Sequence, residues 1–225
     1  MGRVYIKAFE RDEFVNALGS DAGDDWEKRQ GGFRVDSRLG ASDNITLQGD
    51  FYRGDIYQTM RLASLAAPFF QIVQDSIDVS GGNILGTWQH RSSLSSSFTL
   101  KAYWDWNERQ EAAWDQSDET LDIDFQHQIN LGNHNVIWGS GYRHIVTEIE
   151  GIIIANTKAK KRDDDLFSFF VQDEITLIED RLKLTIGSKF EHNEYSGEEV
   201  QPSLRVVWTP NANHSVWGSV SQAVR

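Results

Sequence analysis

The stretch that decides the fold is Asp165–Val224, DLFSFFVQDEITLIEDRLKLTIGSKFEHNEYSGEEVQPSLRVVWTPNANHSVWGSVSQAV. Apolar and polar residues alternate through four successive runs. Phe167, Phe169, Val171 and Ile175 share one parity of the first run, and Ser168, Gln172, Glu174 and Thr176 share the other. Side chains of a strand point to opposite faces with period two, so each run reads as a strand with one apolar and one polar face. Each run is close to the roughly 9–11 residues a tilted strand needs to cross a bilayer. The breaks between the runs are tight, long and tight.

Working outward, the same pattern predicts eleven strands, near 3–10, 27–39, 44–57, 82–92, 97–108, 119–130, 134–146, 165–177, 181–193, 200–208 and 214–224. Tight connections at Gly40–Asp43, Leu94–Ser96, Gly132–Asn133, Ile178–Asp180 and Pro210–Asn213 are rich in turn-forming residues. Longer ones fall at 11–26, 58–81, 109–118, 147–164 and 194–199. Short and long alternate, as in an up-and-down membrane barrel with short turns on one side and long loops on the other. The expected fold is therefore all-β, an antiparallel up-and-down transmembrane β-barrel segment.

Parity assigns the two faces. Val136, Trp138, Tyr142, Phe167, Phe169, Val171, Leu184, Ile186, Leu204, Val206 and Trp208 are expected toward lipid or in aromatic girdles at the interfaces. Trp104, Trp106 and Trp217 are further girdle candidates. Lys101, Asp105, Asp122, Asp124, Arg143, Glu174, Lys183, Lys189, Glu191 and Arg205 are expected to line a lumen. Two runs fit less well. Gln30, Gly31 and Gly32 interrupt 27–39, and in 214–224 Val216 and Val220 oppose Trp217. Within 58–81 the apolar LASLAAPFFQIV reads as a loop packed on itself, with a short helix or a plug contact as the other readings.

Composition narrows the classes. The chain has 225 residues, no Cys and a net charge of −12. Disulfides and thiolate metal sites are excluded, and the absence of a basic stripe argues against nucleic acid. No run is long and apolar enough for a membrane helix. His90, His127, His134, His144, His192 and His214 are scattered, and no HExxH or phosphate-loop motif occurs, so no catalytic, metal or cofactor site is expected. Asp21, Asp24, Asp25 and Glu27 invite a calcium reading but lack the spacing of an EF-hand loop, and read as a solvated acidic loop. KAKKRDDD at 158–165 reads as a self-compensating exposed loop rather than a contact for an anionic surface.

The elements FVQDEITLIEDRLKLTIGSKFEHNEYSG, QPSLRVVWTP and HSVWGSVSQAVR, supported upstream by GGFRVDSRLGASDNITLQGDFYRGD, LKAYWDWNER and VIWGSGYRHI, resemble the barrel domain of TonB-dependent outer-membrane receptors. The resemblance implies a barrel of roughly 22 strands, plugged by an N-terminal domain and coupled to TonB. No plug or TonB box is recognised, so residues 1–225 are expected to be a partial barrel domain, truncated at both ends. The implied function is active import of a scarce, bulky nutrient such as a ferric siderophore or cobalamin, across the bacterial outer membrane and without enzymatic chemistry. Implied partners are outer-membrane lipid, the plug, TonB and a small-molecule or metal-chelate ligand. Trp26, Phe69, Phe70, Trp114, Lys160 and Arg162, placed in the longer loops, are the candidate ligand contacts. The alternatives are a passive porin-like barrel and a soluble β-sandwich that binds carbohydrate.

Overall fold

A computed structural model describes residues 1–152 and 160–223. The strands are β1 (Gly2–Arg11), β2 (Trp26–Leu39), β3 (Asp43–Ala63), β4 (Phe70–Arg91), β5 (Ser96–Gln110), β6 (Trp114–Leu131), β7 (His134–Gly151), β8 (Lys161–Ile178), β9 (Leu182–Asn193), β10 (Gly197–Asn211) and β11 (His214–Ser221). They form one eleven-stranded sheet in sequence order. Each pairs antiparallel with its chain neighbours. A sandwich would need a second sheet to cover the apolar face, and all eleven strands belong to this one.

The tight turns occur where the pattern puts them, now at 40–42, 92–95, 132–133, 179–181 and 212–213. Gly40, Gly132 and Asp180 supply the positive φ (70°, 62° and 55°) that closes three of them. The opposite connections are shorter than the sequence suggests. They occupy 12–25, 64–69, 111–113, 152–160 and 194–196, of which 153–159 lie outside the described residues, as does Lys158 of the basic run. Most of what reads as loop is continued strand. In particular, 58–81 is neither a self-packed loop nor a helix. It is the far half of a hairpin in which β3 and β4 stay in register from Asp43↔His90 to Ala63↔Phe70. At 22 residues, β4 is about 70 Å long at ~3.3 Å per residue, far more than a bilayer crossing needs.

The loop reading failed because the pattern reverses along the hairpin. Near the turns, odd positions of β3 are apolar (Ile45, Leu47, Phe51) and even ones polar (Thr46, Gln48, Asp50). Beyond Tyr52 the odd positions become Arg53, Asp55, Thr59 and Arg61, and the even ones Ile56 and Met60. The register does not slip, so the two faces exchange polarity while the strand runs on. A window straddling the exchange shows no clean alternation.

The interrupted run 27–39 is a regular strand, with Gly32 paired to Tyr5 and Asp50. A Cβ on Gly32 would lie 2.3 Å from Asp50 Oδ1 and 2.6 Å from Tyr5 Cε1, so glycine admits the Tyr5 ring against the backbone. In β11, Val216 and Val220 oppose Trp208 and Leu204, while Trp217 opposes Val207. Trp217 therefore falls on the face away from the girdle set, contrary to the sequence assignment.

No interior core fills the sheet. Among the described residues the buried apolar side chains are Ile77 and Ala113, both at the long-strand end. Phe169, Leu204 and Trp208 remain 42–50% exposed. One sheet with a bare apolar face is a wall whose partners are other phases or other segments, not a self-contained globule.

Candidate functional site

The pairings sort the candidate side chains into two sets. Lys101↔Asp124, Asp122↔Arg143, Glu174↔Thr185 and Arg205↔Thr185 lie on one face, as do Asp105, Lys183, Lys189 and Glu191. Tyr142↔Phe167, Trp138↔Val171, Leu184↔Val206 and Ile186↔Leu204 lie on the other, with Val136, Phe169 and Trp208. The polar face is a hydrogen-bonded lattice. Arg143 donates to Asp122 at 2.5 Å, Lys183 to Glu174 at 2.7 Å, and Lys189 and Gln201 to the two oxygens of Glu191 at 2.7 Å each. Further along, Tyr5 donates to Asp50 and accepts from Gln30, and Arg34 bridges Asp36 and Gln48.

The apolar face carries a ladder of rings across six strands. Trp88–Phe98, Phe98–Phe125, Phe125–Trp138, Trp138–Phe169 and Phe169–Phe190 have centroids 5.0–6.5 Å apart. These are within the range at which aromatic pairs attract beyond simple burial. Polar tips at the margins of this face are paired. Asp43 accepts from Trp88 Nε1 and contacts His90 Nδ1, both at 2.8 Å, and Glu119 accepts from Trp104 at 2.7 Å.

The candidate ligand contacts do not converge on one point. Trp26, Trp114 and Arg162 begin or enter strands rather than loops, and their register puts all three on the same face as Asp122. Arg162 lies 4.1 Å over the Tyr195 ring and pairs with Asp164 at 2.8 Å. Phe70 opens β4 on the opposite face, with Arg61 stacked 3.7 Å over its ring. Phe69 is at the hairpin tip, and Lys160 is engaged by Glu150 at 2.9 Å.

Sequence reasoning missed the most distinctive part of this region. Beyond the polarity exchange, the face that carries Trp26 and Trp114 is lined by Ile56, Met60, Val73 and Ile77 of the β3–β4 hairpin. Asp75 in the same stripe accepts from the Ala112 backbone N–H at 3.0 Å, which draws the 111–113 turn over it. Two cations border the patch. Lys28 sits 4.4 Å over Tyr52, and Arg109 pairs with the buried carboxylate of Glu111 at 2.8 Å. The signal was present as reversed alternation in 53–61, legible only once the register was known.

The 12–25 connection is held by its own side chains. Asn16 Oδ1 accepts from the N–H groups of Leu18 and Ser20, and Asp24 Oδ1 from that of Phe14. Its acidic residues do not converge on a cation position, and among the described residues no group of three or more His, Asp or Glu is placed to hold a metal. Asp21, beside Glu13, raises the Glu13 carboxyl above the ordinary range, with Asp25 and Asp12 adding to it. A carboxyl raised in the folded loop favours that loop as pH falls and disfavours it as pH rises through the raised value. Proteolysis within 12–25 is thus expected to be slower at pH 5 than at pH 8, once corrected for the protease's own profile. Glu13→Gln should flatten the difference, and an unchanged pH dependence in that variant would refute the assignment.

The sheet order, the two-faced register and the turn pattern together describe the wall of a large barrel. Residues 7–225 match the family model described as "TonB dependent receptor-like, beta-barrel". The chain belongs to this TonB-dependent receptor family. Solved structures similar to it include the ferric-catecholate import receptor Fiu of Escherichia coli K12 (10% identity, TM-score 0.70), which covers 98% of this chain and 46% of that one. The siderophore receptor PirA of Acinetobacter baumannii follows at 14% identity and TM-score 0.64, over 98% of this chain and 37% of that one. The ferripyoverdine receptor of the Pseudomonas aeruginosa outer membrane has 11% identity and TM-score 0.63, over 97% and 37%. At such identities the likeness is one of fold. This member of the family spans less than half the length of those receptors. No curated protein sequence matches it.

Proposed function

We propose that this chain is part of an outer-membrane receptor that binds a scarce, bulky metal chelate, of ferric siderophore or cobalamin type, and imports it with energy delivered through TonB. The observation that carries this reading is the exchange of polarity along β3 and β4. The apolar face with its ring ladder meets lipid, and the charged lattice lines the lumen, where it contacts a plug. Above the membrane the lumen-side wall turns apolar and aromatic, bordered by Lys28 and Arg109 with Arg162 further round the same face, which suits an anionic chelate with a hydrophobic periphery. Structural likeness to receptors whose names specify a ferric catecholate or a siderophore supports the same cargo class. The free edges of β1 and β11 pair with further strands, and residues 1–225 make up a partial barrel domain. The cargo passes through unchanged, so no enzymatic step is assigned.

The test is uptake of radiolabelled ferric chelates by cells carrying the full-length receptor. Replacing Trp26, Trp114 and Arg162 together by alanine is expected to weaken chelate binding by at least about tenfold, a loss of ~1.4 kcal/mol, with the receptor still assembled. Uptake that continues after the inner membrane is de-energised would point instead to a passive porin-like barrel. Uptake unchanged by deletion of the gene, across catecholate and hydroxamate chelates and cobalamin, would reject the proposal.

A further inference from the structure

Past the ring band, the β3–β4 hairpin carries its polar residues outside and its aliphatic ones inside. On the outer face Asp55 pairs with Asp78 and Thr59 with Gln74. On the lumen face Ile56 pairs with Ile77 and Met60 with Val73, and Leu62 follows one row higher. Water or cargo, not lipid, meets this inner surface, and covering its aliphatic groups is favourable.

The polar row inside this strip, Gln58 opposite Asp75, is satisfied by the protein itself. Asp75 Oδ2 accepts from Gln58 Nε2 at 3.4 Å and from the Ala112 N–H at 3.0 Å, so the carboxylate calls for no cation from a ligand. The second bond brings the 111–113 turn down on the foot of the strip, where Ile77 and Ala113 are buried. Ile56, Met60, Leu62 and Val73 stay partly exposed. From Ile56 to Leu62 the open strip is about 20 Å long at ~3.3 Å per residue, and it rises to a tip where Leu65 and Phe69 are exposed. The groups suited to a polar or charged head lie at the foot. Trp26 pairs with Ile56, and one row lower Lys28 pairs with Gly54 and Arg109 with Val79. No ring faces inward from β3 between Gly54 and Leu62, or from β4 between Gln71 and Val79.

We infer that this strip holds a saturated alkyl chain carried by the cargo, so that the receptor selects amphiphilic metal chelates. The chelate head sits at the row of Lys28 and Arg109, and the chain runs up over Ile56, Met60 and Val73 toward Leu62. An aromatic arm would find no ring to stack on along the strip. An alkyl chain needs only continuous aliphatic contact, and Met60, unbranched and polarizable, adapts to its course. The inference rests on the proposal that this face binds a chelate.

Ferric chelates built on a catecholate and on a hydroxamate head test it, each with no tail, a hexanoyl tail or a dodecanoyl tail. Their binding is measured on cells that carry the full-length receptor and corrected for cells that lack it. On a head that binds, the dodecanoyl chelate is expected to bind at least about tenfold tighter than the hexanoyl one, equivalent to ~1.4 kcal/mol. That is well below what the added methylenes contribute when wholly buried, as suits a chain lying against one wall. Met60→Gln with Val73→Gln should remove the ratio, which is taken within each variant so that the level of assembled receptor cancels. In Met60→Cys, the dodecanoyl chelate should block labelling by a maleimide and the tailless chelate should not. Equal affinity with and without a tail, or a ratio that survives the double substitution, overturns the strip and leaves chelate binding intact. So does a Met60→Cys thiol that no maleimide reaches, because protein then covers the strip. Binding of neither head in any form overturns the chelate reading, and this inference with it.

Discussion

Phe125→Arg is expected to abolish assembly of the receptor, whereas Gln126→Arg, one residue away, should leave it near normal. Phe125 is at the middle of the ring ladder, with centroids 5.8 Å from Phe98 and 5.3 Å from Trp138. An arginine on the lipid face of a barrel at mid-depth costs about 2–4 kcal/mol, and the two ring contacts are lost as well. Gln126 faces the other way, opposite Thr99 and Gly139, where a charge finds water and polar neighbours. Surface changes of that kind shift stability by no more than about 0.5 kcal/mol. The measurement is the fraction of full-length receptor that migrates as the heat-modifiable form in outer-membrane preparations. Equal levels for the two variants would mean that the faces are assigned wrongly, because period-two geometry cannot place both side chains in one environment.

Gly139→Val should destabilise the sheet without introducing any charge. A Cβ at Gly139 would lie 2.4 Å from the Phe125 carbonyl oxygen and 2.6 Å from Phe170 Cε1. The first neighbour is backbone and cannot swing away, so the β6–β7 ladder must move. Overpacking of this kind costs about 1–3 kcal/mol, and a lower urea midpoint for the folded receptor would report it. A control at Gly86, paired on both sides and with no atom closer to an added Cβ than the Ala102 carbonyl oxygen at 3.9 Å, should show no comparable shift. If Gly139 and Gly86 tolerate valine equally, Phe170 is not seated over the β7 backbone.

These two expectations draw on different kinds of information. The face on which Phe125 lies follows from Leu121, Ile123 and Phe125 alternating with Asp122, Asp124 and Gln126, which is visible in the chain alone. The cost at Gly139 does not. Nothing in VIWGSGYRH distinguishes a glycine that admits Phe170 from across the sheet from one that merely breaks a pattern. The same holds for Gly32, where the sequence shows an interruption and the fold shows a place for the Tyr5 ring.

The candidate site was legible only in part. Arg162, Trp26 and Trp114 stood out as charge and aromatic character near long connections, and they share a face. Phe70 stood out for the same reason and turned out to lie on the other face, against Arg61. Met60, Val73 and Ile77 were passed over because they sat in a stretch taken for loop, and Ile56 because it ends the 44–57 run on the face expected to be polar.

By itself the sequence determined that the chain forms strands, how many there are, which residues share a face near the turns, and where five tight reversals occur. All of that depends on period two and on local turn chemistry, both of which act within a few residues. The tertiary structure decided where the strands end, that the faces exchange polarity beyond Tyr52, and which side chains meet across neighbouring strands. Those depend on register, a relation between distant residues set by the whole run of backbone pairing, and a register has no signature in any single strand.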